Sequence, residues 1–324
     1  FRNRGERRDY DCVTAGGRLT GAMPEFVHLH VHSDYSFLDG ACRITVEKEV
    51  AKQVKPVAPL TLPEQAARLG FKALALTDHG MMFGAVDFYK ACRAKGVRPI
   101  LGCELYVSER AAGTARRHEA DREFHLIVLA KDAEGYNNLI KLVSLGCLQT
   151  EAGNPRVDRA QVAQFARGLV ATSACVRGEV GQRFFAGDEA GALDVIGAYR
   201  DLFAPGDFYL ELNDQSLEGQ AAYNRFLVAA AKRMGVPLVA ANDVHYLRRE
   251  DAEMQDILMC LKAGETQESE RRQGMGSREF YLKSADEMAA LFGEMPEALA
   301  ATVEIAEKCQ VELALGGNHY PAYQ

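Results

Sequence analysis

The sequence is short of positive charge. Its 324 residues carry 38 Lys and Arg against 45 Asp and Glu, a net charge of −7. A strongly basic nucleic-acid footprint is therefore absent from the chain as a whole. Any nucleic acid must be gripped by a local basic patch, by metal ions or by parts of a larger protein. No apolar run is long enough to span a bilayer, so no membrane partner is expected. Residues 1–22 are rich in Arg and Gly and lack the apolar core of a secretory signal. They read as a tag remnant, a misassigned start or a disordered arm ahead of Met23. The eight cysteines form no Cys-x-x-Cys pair, which argues against a disulfide scaffold and for a reducing cytoplasm. No short internal repeat is visible, which excludes a solenoid.

What is present is a globular composition, 48% hydrophobic and 26% charged, enough for a sizeable core. Seven apolar, β-branched runs stand out, at 26–32, 73–77, 100–107, 124–130, 169–174, 208–212 and 238–241. Most are near-continuous, as expected of strands buried on both faces. Thr61-Leu-Pro-Glu64 reads as a capping box opening a helix that ends near Gly70. Residues 83–95 are amphipathic up to Gly96, Asp158 caps a short helix stopping at Gly168, and 218–234 ends at Gly235 before Pro237. Alternating strands and helices on this scale predict an α/β fold on a largely parallel sheet. One gap breaks the alternation: residues 108–123 are charged and have no apolar stripe. The third and fourth runs are therefore expected to form a hairpin. Beyond Leu247 the pattern changes to helices at 250–262, 285–292 and 296–309, a polar stretch at 263–278 and a short strand at 280–282.

Residues with metal-binding chemistry gather at the ends of these runs. His30 and His32 sit two apart, so a strand turns both to one face, where they can grip one ion. The second run leads into Asp78-His79, the third carries Cys103-Glu104, the fifth leads into Cys175, and the seventh leads to Asp243 and His245, again spaced i, i+2. In a βα barrel the carboxyl ends of the strands converge on one face, where such sites lie. Asp39, in the loop after the first run, reaches the same face. His125 stands at the start of the fourth run; a hairpin would bring it beside Glu104. The candidates are His30, His32, Asp39, His79, Glu104, His125, Cys175, Asp243 and His245. Taken singly, Cys175 would be a buried apolar cysteine, Asp39 a turn residue and His125 a hydrogen-bonded core histidine. Their joint placement is what argues for metal. Nine ligands exceed one tetrahedral zinc, and mixed imidazole, carboxylate and thiolate favour two or three ions of zinc, manganese or iron(II), with Glu104 as the bridge. His28 is expected behind the ligands. Asp78 and Asn242 should orient neighbours, Cys103 should face the packing side, and His118 and His319 should be solvated. Arg177 and Lys131 are expected at the surface, with phosphate contact as the alternative.

The segment Phe26-Val-His-Leu-His-Val-His-Ser-Asp-Tyr-Ser-Phe-Leu-Asp-Gly40 resembles the opening of bacterial DNA polymerase III alpha subunits. So do Leu76-Thr-Asp-His-Gly80 with Phe83-Gly-Ala-Val-Asp-Phe-Tyr89, Arg98-Pro-Ile-Leu-Gly-Cys-Glu104 and Ala240-Ala-Asn-Asp-Val-His245. Together they resemble the polymerase and histidinol phosphatase (PHP) superfamily. The resemblance implies a distorted seven-stranded βα, TIM-like barrel over 23–249, then a truncated α-rich extension, 250–324, leading toward a polymerase region. Glu279-Phe-Tyr-Leu-Lys283 and Thr302-Val-Glu-Ile-Ala-Glu-Lys-Cys309 look like that bridge. By the same likeness a trinuclear cluster is implied. His30, His32, Glu104 and Asp243 would hold one ion, Glu104, His125 and Cys175 a second, and Asp39, His79 and His245 a third. The chain departs from shorter members at 46–59, where it is lengthened.

The resemblance implies a metal-dependent phosphoesterase that acts as a 3′–5′ proofreading exonuclease on single-stranded or primer-terminus DNA, with Glu104, Asp243 and His32 carrying catalysis. The remaining polymerase domains and other replisome subunits would be its partners. No polymerase active-site aspartates are recognisable here. Two other readings stand beside it: a metal-stabilised scaffold that docks the polymerase or a separate exonuclease, and a small-molecule phosphatase.

Overall fold

Apolar runs buried on both faces need a layer on each side, and the chain supplies helices outside and a packed interior within. The computed structural model describes residues 25–46, 60–109, 122–150, 153–269, 271 and 274–317. The expectations for 1–22, for most of 46–59, and for His118 and His319 lie outside those residues. The strands are β1 (Ala73–Leu76), β2 (Arg98–Ser108), β3 (Glu123–Ala130), β4 (Arg156–Asp158), β5 (Leu169–Thr172), β6 (Phe208–Asn213) and β7 (Leu238–Ala241). They form one curled sheet in the order β1-β2-β3-β5-β6-β7, with the three-residue β4 beside β2. β4 is too short to leave a sequence pattern. The expected hairpin is present: β3 runs antiparallel to both β2 and β5, while the other pairs are parallel. Its register sets His125 opposite Tyr106 and Ile127 opposite Glu104.

The first run is a correction. Residues 26–32 do not form a regular strand; they make an isolated parallel bridge, Val31 with Val244. The segment still closes the barrel. The Ala75 and Thr77 N–H groups donate to the His28 and Val31 carbonyls on one side, and His32 N–H donates to the Val244 carbonyl on the other. Side chains have taken over two of the backbone's partners, which is why the ladder is irregular: Val31 N–H donates to the Thr77 hydroxyl and Ser33 N–H to the Asp78 carboxylate. The expected strand at 280–282 is likewise only a bridge, Tyr246 with Tyr281.

The helices are α1 (Leu62–Arg68), α2 (Ala85–Ala94), α3 (Ala133–Gln149), α4 (Arg159–Phe165), α5 (Glu179–Phe185), α6 (Glu189–Leu202), α7 (Gln220–Met234), α8 (Ala252–Ala263), α9 (Ala285–Phe292) and α10 (Pro296–Lys308). Their ends follow from local chemistry. Thr61 and Glu64 form the expected reciprocal cap on α1, and Asp158 and Gln161 do the same for α4. Gly235, at φ 66°, stops α7 in the left-handed region that glycine adopts without penalty.

Side-chain alternation divides the core. Leu74, Leu76, Leu101, Cys103, Leu105, Leu126, Val128, Leu210 and Leu212 face the helices. Ala73, Ala75, Ile100, Ile127, Leu129, Val170, Tyr209 and Val239 fill the barrel. The far end of the interior is stoppered by α10: its Ala301, Ile305 and Ala306, with Cys309 just beyond it, join that inner cluster. Val27 N–H donates to the Thr302 hydroxyl at the same end. The apolar interior thus stops at one mouth, and the inward positions nearest the other mouth are polar.

Candidate metal centre

Strand alternation delivers the polar residues. In β2 the inward series Ile100, Gly102 runs on to Glu104, and in β3 His125 precedes the inward Ile127 and Leu129. Asp39, His79, Glu104, His125, Cys175, Asp243 and His245 line one cavity of about 430 Å³. His30 and His32 stand in its floor: His30 Nε2 lies 3.2 Å from Asp243 Oδ1, and His32 Nε2 lies 3.0 Å from Glu104 Oε2. The structure therefore brings all nine sequence candidates to one mouth of the barrel.

Three backbone positions there are unusual. Leu38, Ala174 and Asp243 have φ of 59°, 57° and 49°; the first two directly precede Asp39 and Cys175, and the third is itself a candidate. Left-handed backbone at non-glycine residues is strained and recurs at functional sites. Asp78 secures the loop that carries Asp39. Its carboxylate accepts from Ser33 N–H at 2.7 Å, the Ser33 hydroxyl at 2.8 Å and the Ser36 hydroxyl at 2.7 Å. Asn242 ties the barrel to the later chain by donating to the Glu279 and Tyr281 carbonyls.

The separations can be tested against an ion. Four donors about 2.0–2.2 Å from a tetrahedral ion stand roughly 3.3–3.6 Å apart. Among His30, His32, Glu104 and Asp243, the observed separations are 3.1 Å for His30 to His32, 3.5 Å for His30 to Glu104, 3.0 Å for His32 to Glu104, and 3.2 and 3.4 Å from Asp243 to the two histidines. His79 Nδ1 lies 2.9 Å from Glu104 Oε2 and its Nε2 3.3 Å from Asp39 Oδ2, while His125 Nδ1 touches Glu104 Oε1. His32, His79 and His245 form a further triad whose nitrogens fall within 4.8 Å of one another. His245 Nδ1 is taken by the Asp39 carbonyl at 2.5 Å, which turns its Nε2 toward Asp243 at 3.0 Å.

Several of these atoms are orphans. Both Glu104 oxygens, both His79 ring nitrogens and His125 Nδ1 are buried, and although they crowd against one another and Asp39, none of these contacts is aligned as a hydrogen bond. Leaving a buried polar group unpaired costs about 1–3 kcal/mol, so a run of them in one cavity fits a cation that their lone pairs would surround. Charge follows the same arrangement. Burial opposes ionisation of Glu104, but His125, His79 and His30 outweigh it and hold its pKa well below the carboxylate range. Asp243 is lowered in the same way by His30 and His245 against burial. Burial, then Asp243 and Glu104, push the Cys175 thiol well up.

Sequence reasoning missed several residues. Glu211 holds His30 Nδ1 at 2.8 Å. Lys262 reaches from α8 to Asp39 Oδ2 at 2.7 Å. Arg177, expected at the surface, lines the cavity with Gln215, Gln220, Met259, Met275 and Phe280. Lys131 pairs with Asp207 beyond the end of β3, away from the site. His28 does not reach the cluster: its Nε2 bonds the Lys283 carbonyl at 2.8 Å, and burial lowers its pKa to about 4. Cys103 packs outward, as expected.

A distorted βα barrel, closed by an irregular segment and bearing imidazoles and carboxylates able to hold metal at one mouth, is the class of protein defined here. The sequence model of the PHP domain matches residues 28–215, and the chain belongs to that family. It is 39% identical over 301 residues to the DNA polymerase III subunit alpha of Borreliella burgdorferi, covering 92% of this chain and 25% of that one. It is 40% identical over 304 residues to the protein of the same name from Treponema pallidum, covering 94% and 25%. The chain thus spans about a quarter of the length of these curated relatives. Among solved structures, an amidohydrolase from Chromobacterium violaceum superimposes at a TM-score of 0.41 and 17% identity over 68% of this chain and 87% of that one, too loose a likeness to bear on the site. Among the described residues no helix is long and apolar enough to cross a membrane.

Proposed function

We propose that this chain is the phosphoesterase domain of a replicative DNA polymerase alpha subunit, and that it removes nucleotides from the 3′ end of single-stranded or primer-terminus DNA as a proofreading exonuclease. The observation that carries the reading is the set of orphaned donors on Glu104, His79 and His125, gathered in one cavity beside Asp243. His30, His32, Glu104 and Asp243 would hold one divalent ion, Glu104, His125 and Cys175 a second, and Asp39, His79 and His245 a third, with zinc the first choice and manganese or iron(II) the alternatives. Such ions supply Lewis acidity, lowering the pKa of water from about 15.7 toward ~7 and neutralising phosphate charge.

The chain's own groups then bind and orient the substrate. Arg177 and Lys262 are the permanent cations among the described residues lining the cavity, and both suit phosphate oxygens. Leu217, Met259, Met275 and Phe280 give the same cavity an apolar wall for a base, and the methionines adapt to any base shape. Burial and the neighbouring carboxylates hold Cys175 as a thiol in the absence of metal, which disfavours it as a nucleophile. The remaining polymerase domains and other replisome subunits are the partners this reading implies.

The test uses 5′-labelled single-stranded DNA and the metal-stripped chain, with zinc or manganese added back. Shortening from the 3′ end with release of nucleoside 5′-monophosphate is expected only with metal. Asp243→Asn should reduce it on the order of 10³-fold, the equivalent of several kcal/mol of metal assistance. Asparagine also tolerates the φ of 49° at this position, so the fold should stand. A chain that binds metal and leaves DNA intact would instead be a docking scaffold, and one that hydrolyses only phosphate monoesters would be a small-molecule phosphatase. Lys262→Ala is expected to raise KM for DNA about tenfold, the size of one charge-assisted contact, with metal content measured alongside because Lys262 also holds Asp39 Oδ2 at 2.7 Å. Steady-state kinetics reads this directly, and an unchanged KM would remove Lys262 from substrate binding.

A further inference from the structure

Two buried glutamates face into this barrel, and their surroundings differ. Glu104 has imidazole nitrogens crowded against both oxygens, none of them aligned as a hydrogen bond. Glu211, on the inward face of β6, has both engaged. Its Oε1 accepts from His30 Nδ1 at 2.8 Å and from the Asn213 amide at 3.0 Å, and its Oε2 accepts from the Thr172 hydroxyl. Its lone pairs are directed at protein donors, so it is not free to bind an ion. We infer that Glu211 is a positioning residue: it fixes His30 as the Nδ1–H tautomer and aims Nε2 at the point where His32, Glu104 and Asp243 meet. The inference rests on the proposal that this centre holds metal.

The geometry around His30 divides its two nitrogens. With Nδ1–H donated to Glu211, the proton that an incoming ion would displace is the one on Nε2, which stands 3.1 Å from His32 Nε2 and 3.2 Å from Asp243 Oδ1 and would then present its lone pair. A carboxylate behind a ligating imidazole fixes its ring and raises its basicity. The hydrogen bonds continue to the cavity wall. The Gln215 amide donates to Asn213 Oδ1 at 3.1 Å and to the Asn242 carbonyl at 2.9 Å, and the Gln220 amide donates to Gln215 Oε1 at 2.5 Å. β6 therefore supplies no candidate ligand, yet its inward residues Glu211 and Asn213 back the one on the first segment.

Glu211→Gln and Glu211→Leu separate this role from packing. In the 324-residue chain, zinc affinity should fall about tenfold for the isosteric glutamine, which keeps an acceptor without the charge, and about 100-fold for leucine, which removes both. Elemental analysis should show about one ion fewer after dialysis against a weak chelator, and cobalt(II) substitution should show a changed ligand-field spectrum. A purely structural glutamate would instead lower the melting temperature of the stripped chain and leave cobalt spectrum and zinc affinity unchanged. That result in Glu211→Gln overturns the inference even if the leucine variant fails to fold. Wild-type chain that binds no metal would overturn the metal centre and this role together, whereas equal binding by wild type and variants would overturn this role alone.

Discussion

Replacing Glu104 by glutamine is expected to abolish metal-dependent hydrolysis, by at least ~10³-fold, and to strip the centre of two ions rather than one. Four imidazoles converge on this side chain. His125 touches Oε1, and His79, His32 and His30 stand 2.9, 3.0 and 3.5 Å from Oε2. Glutamine keeps the shape but turns one acceptor into an NH₂ group, which would face either His125 or the other three rings. A donor there can bind no cation, and the charge that offsets the imidazoles is gone.

The same change should alter the stripped chain. Removing one partner from a buried charged cluster costs roughly 3–5 kcal/mol, because the other charges remain. Glu104 is the leading carboxylate holding the His79 pKa up against burial, so that histidine should also titrate lower. Elemental analysis and calorimetric melting with and without zinc test both halves. A variant that keeps full metal content and rate would remove Glu104 from the centre.

Much of the centre was legible because its residues cluster at the ends of apolar runs. The i, i+2 pairs His30/His32 and Asp243/His245 mark two such ends although neither pair lies in a regular strand, and the charged gap after residue 107 carried the hairpin that sets His125 beside Glu104. Glu211 was not legible: it is a single acid in an apolar run, and only the register of β6 shows that it meets His30, 181 positions away. Lys262 was hidden for a similar reason, since it arrives on α8 from beyond the barrel strands. The first segment has the periodicity of a strand without forming one. What breaks its ladder are the Thr77 hydroxyl and Asp78 carboxylate, distant side chains that compete for its backbone. The strained residues 38, 174 and 243 gave no signal either, since none is the glycine that would mark a left-handed position.

Metal loading and metal-free stability should respond to pH with opposite signs. Burial works against a charged His30, but Asp243, Glu211 and Glu104 outweigh it and raise its pKa well above 6.5. His79 is raised too, by Glu104 and Asp39 over burial. At pH 7 His30 therefore carries a second proton in the stripped chain, His79 is more protonated than a free imidazole, Cys175 keeps its thiol proton, and an incoming ion must displace what they hold. Each displaced proton changes apparent affinity tenfold per pH unit, so His30 and the Cys175 thiol predict about 100-fold weaker loading for each unit of acidification, and His79 steepens the fall. Asp39, Glu104 and Asp243, all lowered, stay ionised and add nothing to that slope. The stripped chain behaves in reverse. Stability from the raised histidines is fully present below 6.5, their unfolded value, and is lost as pH rises through the folded values. Stability from the lowered carboxylates is present above about 4 and is lost as pH falls through their folded values. The stripped chain should thus melt highest at mildly acid pH, and the loaded chain above neutrality. Melting curves from pH 5 to 9 with and without zinc, and proton release by titration calorimetry in two buffers, would show this. Parallel profiles with no proton release would mean that these imidazoles do not meet the metal.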